Sequence, residues 1–250
     1  VQTILELVAA AAVALTLAGC GGGDGAIAAA PADAAVASNT TPLKPTSAAS
    51  SVVQEIDYYG DSTVWGFASG TSGTRVAQPA PSIFASLLPA AARYTVRNEG
   101  VSRTTACQLL GGTDGTHPDW PTQMRNSTAK FVIINHAIND QRADIGESVS
   151  AYKTCLTSLA QIAKQQGKNV IFETPNPTDQ TGAGLDQYVT GMKEVAAAER
   201  LNLIDQYQYL LTYLNGQAIR TLMPDGIHPD DDTYVLKGRF AAAEFLKMSY

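Results

Sequence analysis

The chain has 250 residues, with 17 Lys and Arg against 23 Asp and Glu, a formal net charge of −6. With 45% hydrophobic and 16% charged residues it has the composition of a soluble globular protein, long enough for one sizeable core. The acidic balance, with no local Lys/Arg cluster, argues against a nucleic-acid partner.

Residues 4–18 form an apolar run rich in Ala and Leu, short for a membrane span, and close on Leu17-Ala18-Gly19-Cys20. This start resembles a bacterial lipoprotein signal with its lipobox. The resemblance implies a signal peptide over residues 1–19, lipidation of Cys20, and an exported protein anchored to the membrane, periplasmic or at the cell surface. It departs from the pattern in one respect: no Lys or Arg precedes the run, and Glu6 lies within its approach. Residues 20–51 are Ala, Gly, Ser, Thr and Pro with few large apolar side chains. Such a stretch cannot bury enough surface to offset its ordering entropy, which makes it a flexible tether. The folded domain is expected over residues 52–250.

Within that domain an apolar strand over residues 51–59 ends at Gly60-Asp61-Ser62, where the chain turns. A Gly/Ser/Thr-rich loop over residues 69–81 precedes a helix over 82–88, bracketed by Pro81 and Pro89. A strand over 93–97 runs into a turn at Asn98-Glu99-Gly100, followed by a helix over 103–110. Residues 111–119 read as a solvated loop; His117 with Asp114 and Asp119 matches no metal-ligand spacing that has a mechanism. The run Phe131-Val132-Ile133-Ile134 suits a central strand covered on both faces. Helices over 147–166, 184–200 and 206–214 then alternate with strands over 169–172 and 201–204. Asp230-Asp231-Asp232 opens a last helix reaching about residue 248, its acids at the positive end of the dipole. About five strand–helix alternations imply a parallel sheet with helices on both faces. No internal repeat or second domain is evident. Cys107 and Cys155 fall on the helices after the second and third strands, so a disulfide and two buried free thiols are both compatible with the pattern.

At the end of the first strand Ser62 reaches the edge of the sheet where α/β proteins bind ligands. A serine hydroxyl needs a neighbouring base to become a nucleophile. His228 is the best candidate, because Asp225, three residues before it, can turn back to accept the other ring N–H. His136 also lies near this edge, first as a structural histidine, second as a substrate contact and third as a base. Trp65 and Phe67, just past Ser62, are candidates to line the acyl or leaving-group pocket, though such residues are more often simply core.

Gly60-Asp61-Ser62, Asn98-Glu99-Gly100-Val101-Ser102, Ile138-Asn139-Asp140 and Asp225-Gly226-Ile227-His228 together resemble, in order and spacing, the four blocks of the SGNH (GDSL-like) hydrolases. The resemblance covers the whole expected domain. It implies a three-layer α/β/α, flavodoxin-like fold with about five parallel strands and no cofactor or metal. It implies an esterase or lipase-like activity on a small-molecule or polysaccharide ester, with Ser62, Asp225 and His228 catalytic. The backbone N–H groups of Ser62 and Gly100 and the side-chain amide of Asn139 would bind the oxyanion. The third block departs from the family's Gly-x-Asn-Asp, because Ala137 replaces the glycine. A cell-envelope O-acyltransferase would use the same residues, and a non-catalytic surface-binding lipoprotein is the rival from another class. Oligomeric state is left open.

Overall fold

The computed structural model describes residues 53–179 and 184–250. The signal, Cys20 and tether readings therefore lie outside the described residues.

Five parallel strands form one sheet in the order β2-β1-β3-β4-β5. They are β1 (Gln54–Gly60), β2 (Tyr94–Gly100), β3 (Phe131–Asn135), β4 (Asn169–Glu173) and β5 (Asn202–Ile204). Strict alternation along the central strands divides the core between two faces. Val132 and Ile134 of β3, with Tyr59, Val170 and Phe172, pack under α3 (Ala106–Gly111), α4 (Trp120–Asn126), α5 (Val149–Gln165) and α6 (Leu185–Glu199). Phe131 and Ile133, with Ile56, Tyr58, Ile171 and Ile204, pack against α2 (Ala80–Leu87) and α8 (Asp231–Phe245). The result is the three-layer α/β/α architecture expected, with α7 (Gln206–Leu214) heading a smaller cluster of Leu210, Leu214, Leu222 and Met223.

Two differences from the sequence reading bear on the site. Asn98-Glu99-Gly100 is not a turn: it completes β2, with Gly100 in register with Gly60. The second is α4, for which residues 111–126 show only a weak local signal. Its seven residues are too few to be stable alone; the Asp119 carboxylate caps it by accepting the Thr122 N–H at 3.0 Å, and fully buried Trp120 anchors it by donating to the Leu159 carbonyl at 2.9 Å.

Cys107 on α3 and Cys155 on α5 are joined in a disulfide, their Cα atoms 5.2 Å apart. In the chain-entropy picture, bridging a separation of 48 residues contributes roughly 4 kcal/mol.

Candidate active site

All five strands run the same way, so β2, β1 and β3 deliver three adjacent loops to one edge. Gly60 is in register with both Gly100 and Asn135 there. The Ser62 turn is built by close approach. Beyond Gly60 the chain folds straight into the four-residue helix α1 (Ser62–Trp65). A side chain at Gly60 would lie 2.3 Å from Val64 Cγ2 and 2.6 Å from the Asn135 carbonyl; one at Gly100 would lie 2.4 Å from the Trp65 backbone nitrogen. The two glycines let α1 sit directly on the strand ends. Asn98 fastens it there, donating Nδ2–H to the Val64 carbonyl at 2.8 Å. Asp61 caps α1 through the Thr63 N–H at 2.8 Å, so the N–H of Ser62, in the first turn, has no partner within the helix.

Ser62, His228 and Asp225 come together although 166 residues separate the first two. Ser62 Oγ lies 3.0 Å from His228 Nε2, and His228 Nδ1 lies 2.8 Å from Asp225 Oδ2. The other carboxylate oxygen accepts the backbone N–H groups of Ile227 at 2.9 Å and His228 at 2.7 Å. Burial pushes the Asp225 carboxyl up, but hydrogen bonds from the His228 backbone and ring, Ile227 and Gly70 outweigh it and hold the group down at about 2. Asp225 is thus ionised at any working pH, the state that fixes the ring proton on Nδ1 and leaves Nε2 to face the serine as an acceptor.

The loop after α1 clasps the histidine loop from outside. Phe67 stacks on the His228 ring, centroids 4.4 Å apart, and its carbonyl accepts the Tyr234 hydroxyl at 2.9 Å. Ser69 Oγ accepts the Asp225 N–H at 3.0 Å, and Gly70 N–H donates to Asp225 Oδ2 at 3.3 Å. Half-buried Trp65 lies beside Phe67, with the Arg75 guanidinium 5.5 Å from its ring centre.

Several expectations need correction. The Gly100 N–H already donates to Asn98 Oδ1 at 3.0 Å, so this glycine makes room for α1 and is not a free oxyanion donor. His136 is 1% exposed, and burial drives its pKa down to about 3, leaving a buried neutral imidazole, in keeping with the first of its three readings and against the third. Its Nδ1 has no hydrogen-bond partner among the described residues. Ala137 is fully buried and does not adopt positive φ, so its methyl packs into the core without the backbone strain that a replaced glycine could have carried. Asn139 is held by one amide hydrogen, donated to the Thr104 carbonyl at 3.0 Å, and the second has no partner among the described residues.

The 111–119 loop is pinned, not simply solvated. His117 Nδ1 meets Asp114 Oδ2 at 2.7 Å and Nε2 meets Glu99 Oε2 at 3.3 Å, while Asp114 Oδ1 accepts the backbone N–H groups of Thr116 at 2.9 Å and His117 at 2.8 Å. This is the arrangement around His228 repeated. The pattern Asp-Gly-x-His-Pro-Asp-x-x-Thr occurs at residues 114–122 and again at 225–233. Its second aspartate caps a helix through the threonine N–H in both copies, at 3.0 and 2.8 Å. A short internal repeat is therefore present, and comparing the two stretches side by side would have revealed it. The copies differ in what the outer ring nitrogen meets: Glu99 in one, Ser62 in the other.

Carboxylates on both sides raise the His117 pKa, the Glu99 bond most, while His117 in turn lowers Glu99 and Asp114. A raised histidine stabilises the fold fully below its unfolded value of 6.5 and loses this as pH rises through the folded value. The lowered acids contribute above their unfolded values of 4.5 and 3.8. His117→Gln should therefore destabilise the protein more at pH 5.5 than at pH 9 in urea titrations; an equal loss at both would show that no charge is involved.

The three-layer α/β/α domain thus carries a serine, an imidazole and a carboxylate in a hydrogen-bonded row at its strand ends. The chain belongs to the GDSL-like lipase/acylhydrolase family, whose sequence profile matches residues 58–236. Solved structures share the fold at low identity. The native aryl esterase of M. smegmatis is 18% identical with a TM-score of 0.64, covering 79% of this chain and 100% of its own. A mutant acetyl-xylooligosaccharide esterase from Geobacillus is 20% identical with a TM-score of 0.62, covering 79% and 95%. A carbohydrate acetylesterase from Sinorhizobium meliloti is 18% identical with a TM-score of 0.62, covering 77% and 98%. No curated protein sequence matches the chain.

Proposed function

We propose that the protein is a serine carboxylesterase acting on short-chain esters, acetyl esters foremost, through an acyl-enzyme on Ser62. The observation that carries this reading is the continuous hydrogen-bonded row from Ser62 Oγ through His228 to Asp225, at 3.0 and 2.8 Å. His228 Nε2 takes the hydroxyl proton as Ser62 Oγ attacks the ester carbonyl, and the imidazolium that forms is stabilised by Asp225. The same proton then passes to the leaving alkoxide, so the alcohol departs neutral and the acyl group stays on Oγ. Water repeats the cycle with His228 as base and releases the acid. The Phe67 ring stacked on His228 supplies an aromatic face to the imidazolium, worth about 0.5–1 kcal/mol at a partly exposed site.

The oxyanion is received by the Ser62 N–H and the second amide hydrogen of Asn139. The β2 side contributes through the turn at Arg103, a non-glycine residue at φ 68° directly before Thr104, whose carbonyl orients Asn139. Asn139→Ala should lower kcat by about 10² to 10³ with little change in unfolding midpoint; wild-type turnover would remove this residue from the site. The preference for short acyl groups draws on the acetyl ester substrates named for two of the structural neighbours. Initial rates with nitrophenyl esters of two to twelve carbons test it. Activity should be highest at two to four carbons, and no hydrolysis at any length would end the esterase reading.

The lipobox resemblance at Leu17-Ala18-Gly19-Cys20 supports an anchored, exported enzyme. Cys20→Ser should then move the expressed full chain from the membrane to the soluble fraction, and an unchanged distribution would discard the anchor.

A further inference from the structure

Beneath the site lies a fully buried group of polar side chains that the mechanism above does not use. Lys237 on α8 is 1% exposed and Asn176, in the loop after β4, is 0% exposed. Lys237 Nζ donates to Asn176 Oδ1 at 2.8 Å, and Asn176 Nδ2 donates to the Ile227 carbonyl at 2.8 Å and to its neighbour Pro177 at 3.1 Å. Ile227 is the residue before His228. We propose that Lys237 is a positioning residue for His228, acting through Asn176.

What each group can donate fixes the orientation of Asn176. An ammonium has three donors and no acceptor, so it compels Asn176 to present its oxygen to Lys237 and hence its NH2 to Ile227. A neutral amide next to an apolar side chain could sit either way round. Flipped, it would set its own oxygen against the Ile227 carbonyl and push the histidine loop away. Two other bonds reach this loop from the same side, from Thr178 Oγ1 at 2.6 Å and the Asp179 N–H at 3.0 Å, but both end on the Gly226 carbonyl. Asn176 grips the chain one residue closer to the ring.

Two buried acids favour the charged form of Lys237 against the effect of burial. Burial lowers its pKa to about 8, opposed by the Glu173 carboxylate on β4 and the Asp61 carboxylate in the Ser62 turn. Glu173 is itself buried and accepts hydrogen bonds from Tyr58, from Asn135 at 2.9 Å and from Gln206 at 2.6 Å. The lysine thus stands between an acid at the end of β4 and the acid that caps the nucleophile's helix. From there it holds the histidine loop in register with the serine.

This inference rests on the esterase reading, so the test includes a measurement that does not need turnover. Lys237→Met should lower kcat by about 10-fold to 100-fold, the scale of a misplacement near 1 Å, with KM changed less than about threefold. Asn176→Asp, which keeps the acceptor for Lys237 but lacks the donor to Ile227, should do the same. A Lys237→Met/Asn176→Leu double variant should be no slower than Asn176→Leu alone, as members of one chain of contacts are not additive. Because the chain has three histidines, ring 15N resonances of His228 can be followed directly, and they should shift in Lys237→Met. Wild-type kcat in Lys237→Met, effects that multiply in the double variant, or unshifted His228 resonances would each overturn the proposal. Failure of the wild type to react with a fluorophosphonate at Ser62 would instead sink the esterase reading, and the His228 resonances would still decide whether Lys237 positions the ring.

Discussion

Ser62→Ala is expected to reduce hydrolysis of nitrophenyl acetate by on the order of 10⁴ to 10⁶-fold, to a rate set by residual binding and oxyanion contacts. The size follows from what is removed. Without Oγ there is no acyl-enzyme, and His228 can only assist water, which the site has not evolved to hold over the carbonyl. Folding should change little. Ser62 is 6% exposed and loses one hydrogen bond, to His228, so the stability difference should stay within about 1 kcal/mol. The two measurements belong together: a variant that has lost activity and stability in parallel says nothing about chemistry. If alanine at this position leaves the rate untouched with the fold intact, Ser62 is a turn residue and the nucleophile lies elsewhere.

The second large effect compares the two copies of the repeated loop. In Asp225→Asn an amide nitrogen must replace one carboxylate oxygen, and all four contacts to that carboxylate are donors: Ile227, His228 twice, and Gly70. With the nitrogen facing the ring, Nδ1 must become the acceptor and the proton moves to Nε2, the atom that has to take the serine proton. Turnover should fall by about 10⁴-fold. Asp114→Asn inflicts the same local damage on His117, because the groups that meet the Asp114 carboxylate, on Thr116 and His117, donate in the same way. There the outer nitrogen faces Glu99, so the expected result is a stability loss of about 1–3 kcal/mol with kcat within about threefold of wild type. Chevron or urea measurements paired with initial rates separate the two outcomes. Equal loss of kcat in both variants would mean that the 114–117 loop also serves catalysis; full activity in Asp225→Asn would remove Asp225 from it.

Much of the fold was legible because its determinants are local. Alternating strands and helices, the apolar run of β3 and the acids opening α8 read directly as elements, and their alternation implies a parallel sheet. The short helix α4 was not legible, since its stability comes from burying Trp120, a tertiary event. The placement of Gly100 was misread for a similar reason. A glycine looks the same in sequence whether it frees an N–H for substrate or clears space for a neighbouring backbone; the bond of its N–H to Asn98 Oδ1 and the 2.4 Å approach to Trp65 distinguish them.

By itself the sequence determined the hydrogen bonds between Asp225 and His228 and between Asp114 and His117, which close within four residues, although only the first pair was read from it. What each imidazole does next was decided by the sheet. Its strand order sets one loop over the end of β1, against Ser62, and the other beside the edge strand β2, against Glu99. Local geometry is set first by near neighbours; a contact across 166 residues exists only when strand order and register bring the two ends of the chain to the same edge.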